Sequence, residues 1–165
     1  MMVCKGFRAY CDHPILHDLI FRNIAPLAIG TKFDADEVER HFCLDVMSYE
    51  CSTYMEDAYL HDYSNVDSIY SDHGTYTLVK TSAIDEYATM PPMKAIKIKI
   101  QSMRPKEVKN NNGVTVRDIL KGLVAFFSAG SHREMMGDHT GWTGFDHQFV
   151  DKNGVLVLVA DYFDS

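Results

Sequence analysis

The sequence lacks several patterns that mark particular classes of protein. It contains no run of roughly 20 apolar residues of the kind that crosses a bilayer. Its first residues, MMVCKGFRAYC, lack the basic and apolar stretches of a signal peptide. It has no GxSxG elbow, no GxxxxGK phosphate loop and no GxGxxG that follows a strand. These absences predict a cytoplasmic or nuclear protein with no membrane contact, and they favour binding over catalysis.

Cysteine is also scarce, and its spacing excludes a familiar metal site. The four cysteines, Cys4, Cys11, Cys43 and Cys51, do not form the short pairs of a zinc ribbon. We therefore predict free, mostly buried thiols in a reducing compartment.

Charge divides the chain into two unlike halves. The chain has 165 residues, is 46% hydrophobic and carries a net charge of -7. Residues 1–90 form an acidic half rich in tyrosine and methionine with a net charge of -9, and residues 91–165 carry +2. The length predicts one domain over residues 1–165. Because the acidic half repels phosphates and no recognition module is present, nucleic acid is not an expected partner.

The acidic half predicts short helices and one hairpin. DHPILHDLIF, from Asp12, has a cap, an early proline and apolar residues at helical spacing. Asp36 with Glu39 three residues later predicts the start of a second short helix. Residues 47–71 are compatible with a helix, whereas SIYSDHGTYTLV, from Ser68, favours two strands around a turn.

The second half has clearer periodicity. KAIKIKIQ, from Lys94, predicts a strand whose isoleucines face the core and whose lysines face solvent and discourage edge pairing. RPKEVKNNNG, from Arg104, predicts a turn, a short strand and a loop. Thr115 and Asp118 predict the start of a helix with one apolar stripe: Val116, Ile119, Leu120, Leu123, Val124 and Phe127. FDHQFVDKNGVLVLVADY, from Phe145, predicts a closing hairpin.

Together these elements predict an α+β fold. The expected architecture is a mainly antiparallel sheet packed against a few short helices. A strand pair that leads into the VTVRDIL helix suggests a β-grasp-like second half, which is an analogy of fold and carries no function.

Several short motifs follow one another along the chain: HPIL from His13, FD at Phe33, ATMPPMKAIKIKI from Ala88, GVTVRDIL from Gly113, and the final GWTGF and VLVLVADY. Their order and rough spacing resemble those of a family of unknown function found in fungi, mainly basidiomycetes. The family has an HPLL-like start, an apolar strand after Pro-Pro and a VTVxDVL helix. The chain lacks the tryptophan that this family often has between that strand and the helix. The resemblance implies a fold and a kingdom, and no catalytic residue.

The stretch GDHTGWTGFDHQF, which holds the only tryptophan of the chain, allows two interpretations. Asp138, His139, Asp146 and His147 have side chains that bind Zn²⁺ or another divalent ion, and such a site could activate water. The two histidines are eight positions apart, however, and this separation matches no zinc motif. The alternative is a glycine-rich loop in which Asp138 accepts backbone hydrogen bonds and Trp142 covers a core edge. No cofactor is expected under this second interpretation.

Tyrosine is concentrated between Tyr49 and Tyr76, where six occur. Tyr54, Tyr70 and Tyr76, with Trp142, are the candidates for lining a small-molecule pocket, although such tyrosines more often cover the edge of a core. Oppositely charged halves and nine methionines suit adaptable contact surfaces. We therefore predict a non-enzymatic binding domain whose partner is a protein, with a metal-dependent hydrolase and a small-molecule pocket as alternatives.

Overall fold

The computed structural model describes residues 24–50, 68–71, 74–76, 82–100, 103–127 and 139–164. Two α-helices occur in these ranges, α1 (Phe42–Val46) and α2 (Val116–Phe127), with 3-10 helices at Ala35–Glu37 and Ser82–Asp85. The strands of these ranges are β1 (Glu39–Arg40), β2 (Met47–Glu50), β3 (Ser68–Ser71), β4 (Gly74–Tyr76), β5 (Thr89–Met90), β6 (Ala95–Ile100), β7 (Lys106–Lys109), β8 (His139–Val150) and β9 (Leu156–Asp164).

Seven of these strands form one sheet in the order β4-β3-β2-β8-β9-β6-β7. Every neighbouring pair is antiparallel except β6 and β9, which run parallel. β1 and β5 form a separate antiparallel pair. The mostly antiparallel sheets and few short helices confirm the predicted α+β class.

The second half has the order expected of a β-grasp arrangement. A β6-β7 hairpin leads into α2, a β8-β9 hairpin follows, and the first and last of these strands lie side by side in parallel. A parallel pair requires a long crossover connection, and the segment that contains α2 and β8 provides it.

The alternation in β6 sets which face of the sheet is buried. Ile96, Ile98 and Ile100 are fully buried, and Lys97 and Lys99 between them are partly exposed. The strand is therefore confirmed. The expected protection of an edge by its lysines is wrong, because β6 lies between β9 and β7 and the edge strand is β7.

α2 begins with the predicted capping box. The Thr115 hydroxyl accepts a hydrogen bond from the Asp118 backbone N–H at 3.2 Å, and the Asp118 carboxylate accepts one from the Thr115 N–H at 3.0 Å. The apolar stripe is confirmed from Val116 to Val124, but it omitted Phe126, which is fully buried. The side chain of Phe127 lies outside the described part of the chain.

The helix predicted from Asp36 is wrong. Asp34 is the cap, since its carboxylate accepts a hydrogen bond from the Asp36 N–H, and the turn that it begins is a 3-10 helix of three residues. The chain then extends at Val38 and pairs as β1 with β5, so β1 replaces the predicted helix before α1 begins. The helix predicted from Asp12 lies outside the described residues.

The described parts of residues 47–76, in the first half, are all strands. Met47–Glu50 is a strand, so the helical alternative is wrong there. β3 and β4 pair with Ser71 opposite Gly74, which confirms the predicted hairpin.

The segment from His139 to Gly144 is also a strand, which corrects the interpretation of GDHTGWTG as a loop. β8 runs for 12 residues from His139 to Val150. Register shifts before and after Phe145 accommodate its glycines, because a bulge places two residues opposite one. Pairing with β9 on one side thus holds in extended form a stretch whose composition is typical of a loop.

The described hydrophobic core is one cluster to which both halves contribute. It extends from Val38 and Leu44 in the first half to Leu158 and Ala160 in the last strand. Cys43 belongs to it as a free, buried thiol, as predicted, and burial raises the pKa of this thiol. In the described ranges, neither helix has the length and apolar content that a membrane crossing requires.

Candidate functional site

A turn at Asp151 fixes the register of the β8-β9 hairpin. Its Oδ1 accepts hydrogen bonds from the N–H groups of Asn153 and Val155, and Gly154 closes the turn with φ of 74°. The Asp151 N–H donates to the Val155 carbonyl at 2.9 Å. Asp151 and Val155 are therefore a hydrogen-bonded pair. This pair determines which of the following residue pairs of β8 and β9 are hydrogen-bonded and which are not.

The alternation of bonded and non-bonded pairs determines which backbone groups of β8 face away from β9. Opposite residues of an antiparallel pair alternate between hydrogen-bonded and non-hydrogen-bonded pairs. Phe149 with Val157 is then a bonded pair, whereas Gln148 and Val150, opposite Leu158 and Leu156, direct their N–H and C=O groups to the other side. Across residues 24–50 and the other described ranges, no strand pairs with that outer edge beyond Trp142.

The segment that precedes α1 lies along this outer edge. Arg40 donates a hydrogen bond to the Phe145 carbonyl at 2.9 Å, and the Gln148 side-chain amide donates to the carbonyls of Ala35 and Val38, each at 2.6 Å. Each of these bonds between the segment and β8 has a side chain as its donor. They leave the backbone edge at Gln148 and Val150 without a hydrogen-bond partner in the described part of the chain.

A groove of about 550 Å³ opens between this segment and the end of β8. Its lining comprises Lys32, Phe33, Asp34, Ala35, Asp36, Gln148, Phe149 and Val150. The volume lies within the usual range for ligand sites. We define these eight residues as the edge groove.

Phe149 is the exposed aromatic residue of the edge groove, with 38% of its surface accessible. The Lys99 ammonium lies 6.0 Å from the centre of its ring, and the His147 ring stacks 6.4 Å away at an angle of 26°. A cation and a second ring thus lie beside an accessible aromatic side chain. This residue is an apolar contact that is available to a ligand.

Gln148 contributes an unsatisfied acceptor to the same site. Its Oε1 is buried and has no hydrogen-bond partner among the residues that the structure describes. Because a buried amide oxygen without a partner is costly, a donor from water or from a ligand would be favourable there.

The rim of the edge groove is acidic. Asp34 and Asp36 belong to its lining, and Glu37 and Glu39 follow them in the sequence. All four carboxylates are exposed, and none forms an ion pair within the described ranges. Lys32 is the one basic residue of the groove lining. The local field therefore favours a cationic ligand.

The residues predicted to bind metal are only partly brought together. The His147 Nδ1 and Asp146 Oδ2 atoms are 3.1 Å apart on an exposed part of β8. His139 begins the same strand seven residues before Asp146, which at the usual rise places it roughly 20 Å away. Asp138 lies outside the described residues. Within those residues, no three His, Cys, Asp or Glu side chains are grouped as a metal ion requires.

The predicted aromatic ligand site is distributed over several strands. Trp142 in β8 pairs with Tyr49 and Tyr162 in the adjacent strands. Tyr70 lies in β3 opposite Thr75, and Tyr76 lies in β4 opposite Ile69. Tyr54 lies outside the described ranges. A small-molecule site on these residues stays a prediction.

A second, smaller depression lies at the start of α2. It measures about 300 Å³ and is lined by Asp85, Glu86, Tyr87, Asn110, Asn112, Gly113 and Thr115. Arg117 forms two hydrogen bonds with the Asp85 carboxylate, at 2.7 and 3.1 Å, and these hold the pKa of Asp85 below its usual value. Its acidic and amide groups are thus largely engaged in fixing the helix start.

His41, near this depression, is a partly buried titratable side chain. Burial lowers its pKa, and the nearby carboxylates of Glu86 and Asp45 offset only part of this effect. Its Nδ1 accepts a hydrogen bond from the Cys43 N–H at 3.1 Å, so the neutral ring has a structural contact at the start of α1.

The turn that positions the edge groove should depend on pH. Burial raises the pKa of Asp151, but hydrogen bonds from Lys97, Val155 and Asn153 together outweigh it, and the pKa is lowered overall. A lowered folded-state pKa stabilises the protein above the unfolded value of about 3.9, and this contribution is lost as pH falls through the folded value. Urea titrations from pH 7 to pH 3 should therefore show Asp151→Asn destabilised near pH 7, with the gap from wild type closing below about pH 4.

Lys97→Gln is the matched control for that titration. The Lys97 Nζ lies 2.5 Å from the Asp151 Oδ2, so this variant keeps the carboxylate but removes one of the groups that lower its pKa. The difference in the free energy of unfolding between this variant and wild type should also narrow as pH falls. A gap between Asp151→Asn and wild type that is constant over the whole range would contradict the assignment.

Comparison with known proteins places most of this sheet in one family. The model of a family of unknown function, DUF6699, matches residues 57–151. The chain belongs to this family. No curated protein and no solved structure gives a significant match. The predicted resemblance to a family of unknown function is thus confirmed, while the fungal origin stays a prediction.

The match to DUF6699 divides the edge groove between two parts of the chain. Gln148, Phe149 and Val150 lie inside the matched segment, whereas residues 32–36 precede it. The sequence prediction missed this site because an unpaired edge depends on which strands become neighbours. One signal was available: Phe149 is an aromatic residue two positions before the Asp151 turn of a predicted hairpin.

Proposed function

We propose that this DUF6699 protein is a non-enzymatic binding module that holds another protein in the edge groove. The observation that supports this most directly is Phe149, an accessible aromatic side chain in a groove that two aspartates also line. Aromatic residues beside a pocket are the usual anchors of protein interfaces.

Features of the groove favour binding over chemistry. Its polar residues are carboxylates, one lysine and one glutamine, and no cysteine, serine or histidine lines it beside a base. Its open form suits a segment of a larger partner. The partner class follows from the chemistry of the surface, and its identity is a matter for experiment.

Site-specific photo-cross-linking tests this proposal. A photoreactive phenylalanine analogue at position 149 should give a discrete cross-linked product in cells that make the protein. The matched control carries the analogue at Phe42, which is 67% exposed and lies outside the groove. The product should be absent from the control and identifiable by mass spectrometry.

Binding to the identified, purified partner then gives the quantitative result. Phe149→Ser should raise the dissociation constant by about tenfold or more, as expected for an interface anchor. Phe42→Ser should leave it within about twofold. No product at position 149, or equal products at both positions, would count against the groove as the binding site.

A further inference from the structure

We infer that the edge groove receives its partner as an added β-strand of cationic sequence, paired with the outer edge of β8 at Gln148 and Val150. This inference rests on the proposed function, because it specifies how the same groove holds a protein and which protein segment it holds. It requires an unpaired backbone edge, room beside that edge and a charge preference.

Among the described residues, the outward backbone groups of Gln148 and Val150 have no strand partner, and their direction follows from the register of the hairpin. Gln148 and Val150 are non-bonded partners of Leu158 and Leu156, so their N–H and C=O groups point away from β9. Two residues at alternate positions of one strand present two donors and two acceptors, the pattern that an extended segment matches.

The outer edge of β8 is used differently along its length. At its start, Tyr49 and Glu50 of β2 pair with Trp142 and Gly141. At Phe145, the backbone carbonyl accepts a hydrogen bond from the Arg40 side chain instead of from a strand. At Gln148 and Val150 the edge borders the groove, so an added strand would continue, on the same side of β8, the position that β2 occupies farther back.

Natural proteins usually protect such an edge with charge, proline or a covering segment. Val150 and Phe149 are apolar and hold no charge at the edge, and the nearby segment is fastened through the Gln148 side chain rather than through its backbone.

Charge complementarity specifies the added strand. Asp34 and Asp36 line the groove with one basic residue, Lys32, and the exposed Glu37 and Glu39 follow in the sequence. An arriving strand with lysine or arginine at the positions that face this rim would gain attraction along its length. An acidic strand would be repelled.

The test uses random heptapeptides displayed on phage and selected on the intact wild-type protein. The expected outcome is enrichment of lysine or arginine together with β-branched residues. Synthetic copies of the selected peptides are then titrated by fluorescence anisotropy. Binding should weaken as salt rises and should weaken severalfold in Asp36→Asn/Glu37→Gln.

Two variants at one position isolate the backbone contact. Val150→Pro removes the outward N–H without removing a bond of the β8-β9 ladder, and Val150→Ala keeps that N–H but shortens the side chain. The proline variant should bind about tenfold more weakly than the alanine variant. Amide spectra establish that each variant is folded.

A measurement on the peptide covers the case of a misfolded proline variant. N-methylation of successive peptide amides should abolish binding at every second position and spare those between, since only alternate groups of an added strand face β8.

Each contrary result overturns the inference. No enriched peptide, an acidic or uncharged set, equal binding by the proline and alanine variants when both are folded, or N-methyl effects without alternation would each do so. If the position-149 cross-link to a partner persists in any of these cases, the binding function stands and strand addition fails. If the cross-link is also absent, both fail.

Discussion

Replacing Gly113 with alanine should lower the free energy of unfolding by about 2 to 6 kcal/mol. The backbone at Gly113 has φ of 103°, which side chains of L residues rarely adopt and which costs about 1 to 3 kcal/mol. A β-carbon there would also lie 2.4 Å from the Tyr87 ring and 3.0 Å from Pro26, and such overpacking costs about as much again. Urea denaturation of the purified variant measures the loss.

Gly30 provides the matched control for this loss. Its φ is 89°, but nothing lies within 4 Å of an added β-carbon, so Gly30→Ala should show the backbone strain without the collision. The loss caused by Gly113→Ala should be smaller when it is measured in a Tyr87→Ala background than in the wild type, because that background lacks the nearest ring. Equal losses at Gly113 and Gly30 would exclude the collision as a cause.

Replacing Ile98 with alanine should have an effect of similar size, about 2 to 5 kcal/mol. Ile98 is fully buried at the centre of β6, with Leu158 of β9 on one side and Lys106 of β7 on the other. The Ile98 Cδ1 atom also lies close to Gly122 of α2, which has no side chain of its own to fill the resulting cavity. Thermal and urea denaturation should agree on the loss.

Two further variants define the origin of that effect. Ile98→Val removes one methylene group and should cost about 0.5 to 1.5 kcal/mol. Lys99→Ala lies next along the same strand but on the opposite face, beside Phe149, and should cost no more than about 1 kcal/mol. A loss in Lys99→Ala as large as that in Ile98→Ala would contradict the assignment of the two faces.

The sequence predicted those parts of the fold that local periodicity determines. The isoleucines of β6, the capping box at Thr115 and Asp118, and the Asp151 turn each depend on contacts within a few residues, and each is confirmed. The same local rules failed where two caps competed. Asp34 and Asp36 are both suitable residues, and the pairing of β1 with β5 favoured the earlier one.

The candidate site could not be predicted in the same way. In the described part of the chain, Gln148 and Val150 form an open edge because β2 pairs with the start of β8 and not with its end. That choice depends on residues almost 100 positions apart in the sequence. The glycines between His139 and Gly144 likewise indicated a loop, and pairing with β9 on one side and β2 on the other makes the segment a strand.

The position of β9 between β8 and β6 has a consequence for synthesis of the protein on the ribosome. β6 and β7 are translated early in the second half, yet β6 can gain its parallel neighbour only after residues 156–160 have emerged. Until then, the outer side of a strand of three fully buried isoleucines has no partner, and such exposed apolar edges attract chaperones and aggregate. We therefore expect the nascent chain to complete this sheet in a late step that joins residues about 60 positions apart.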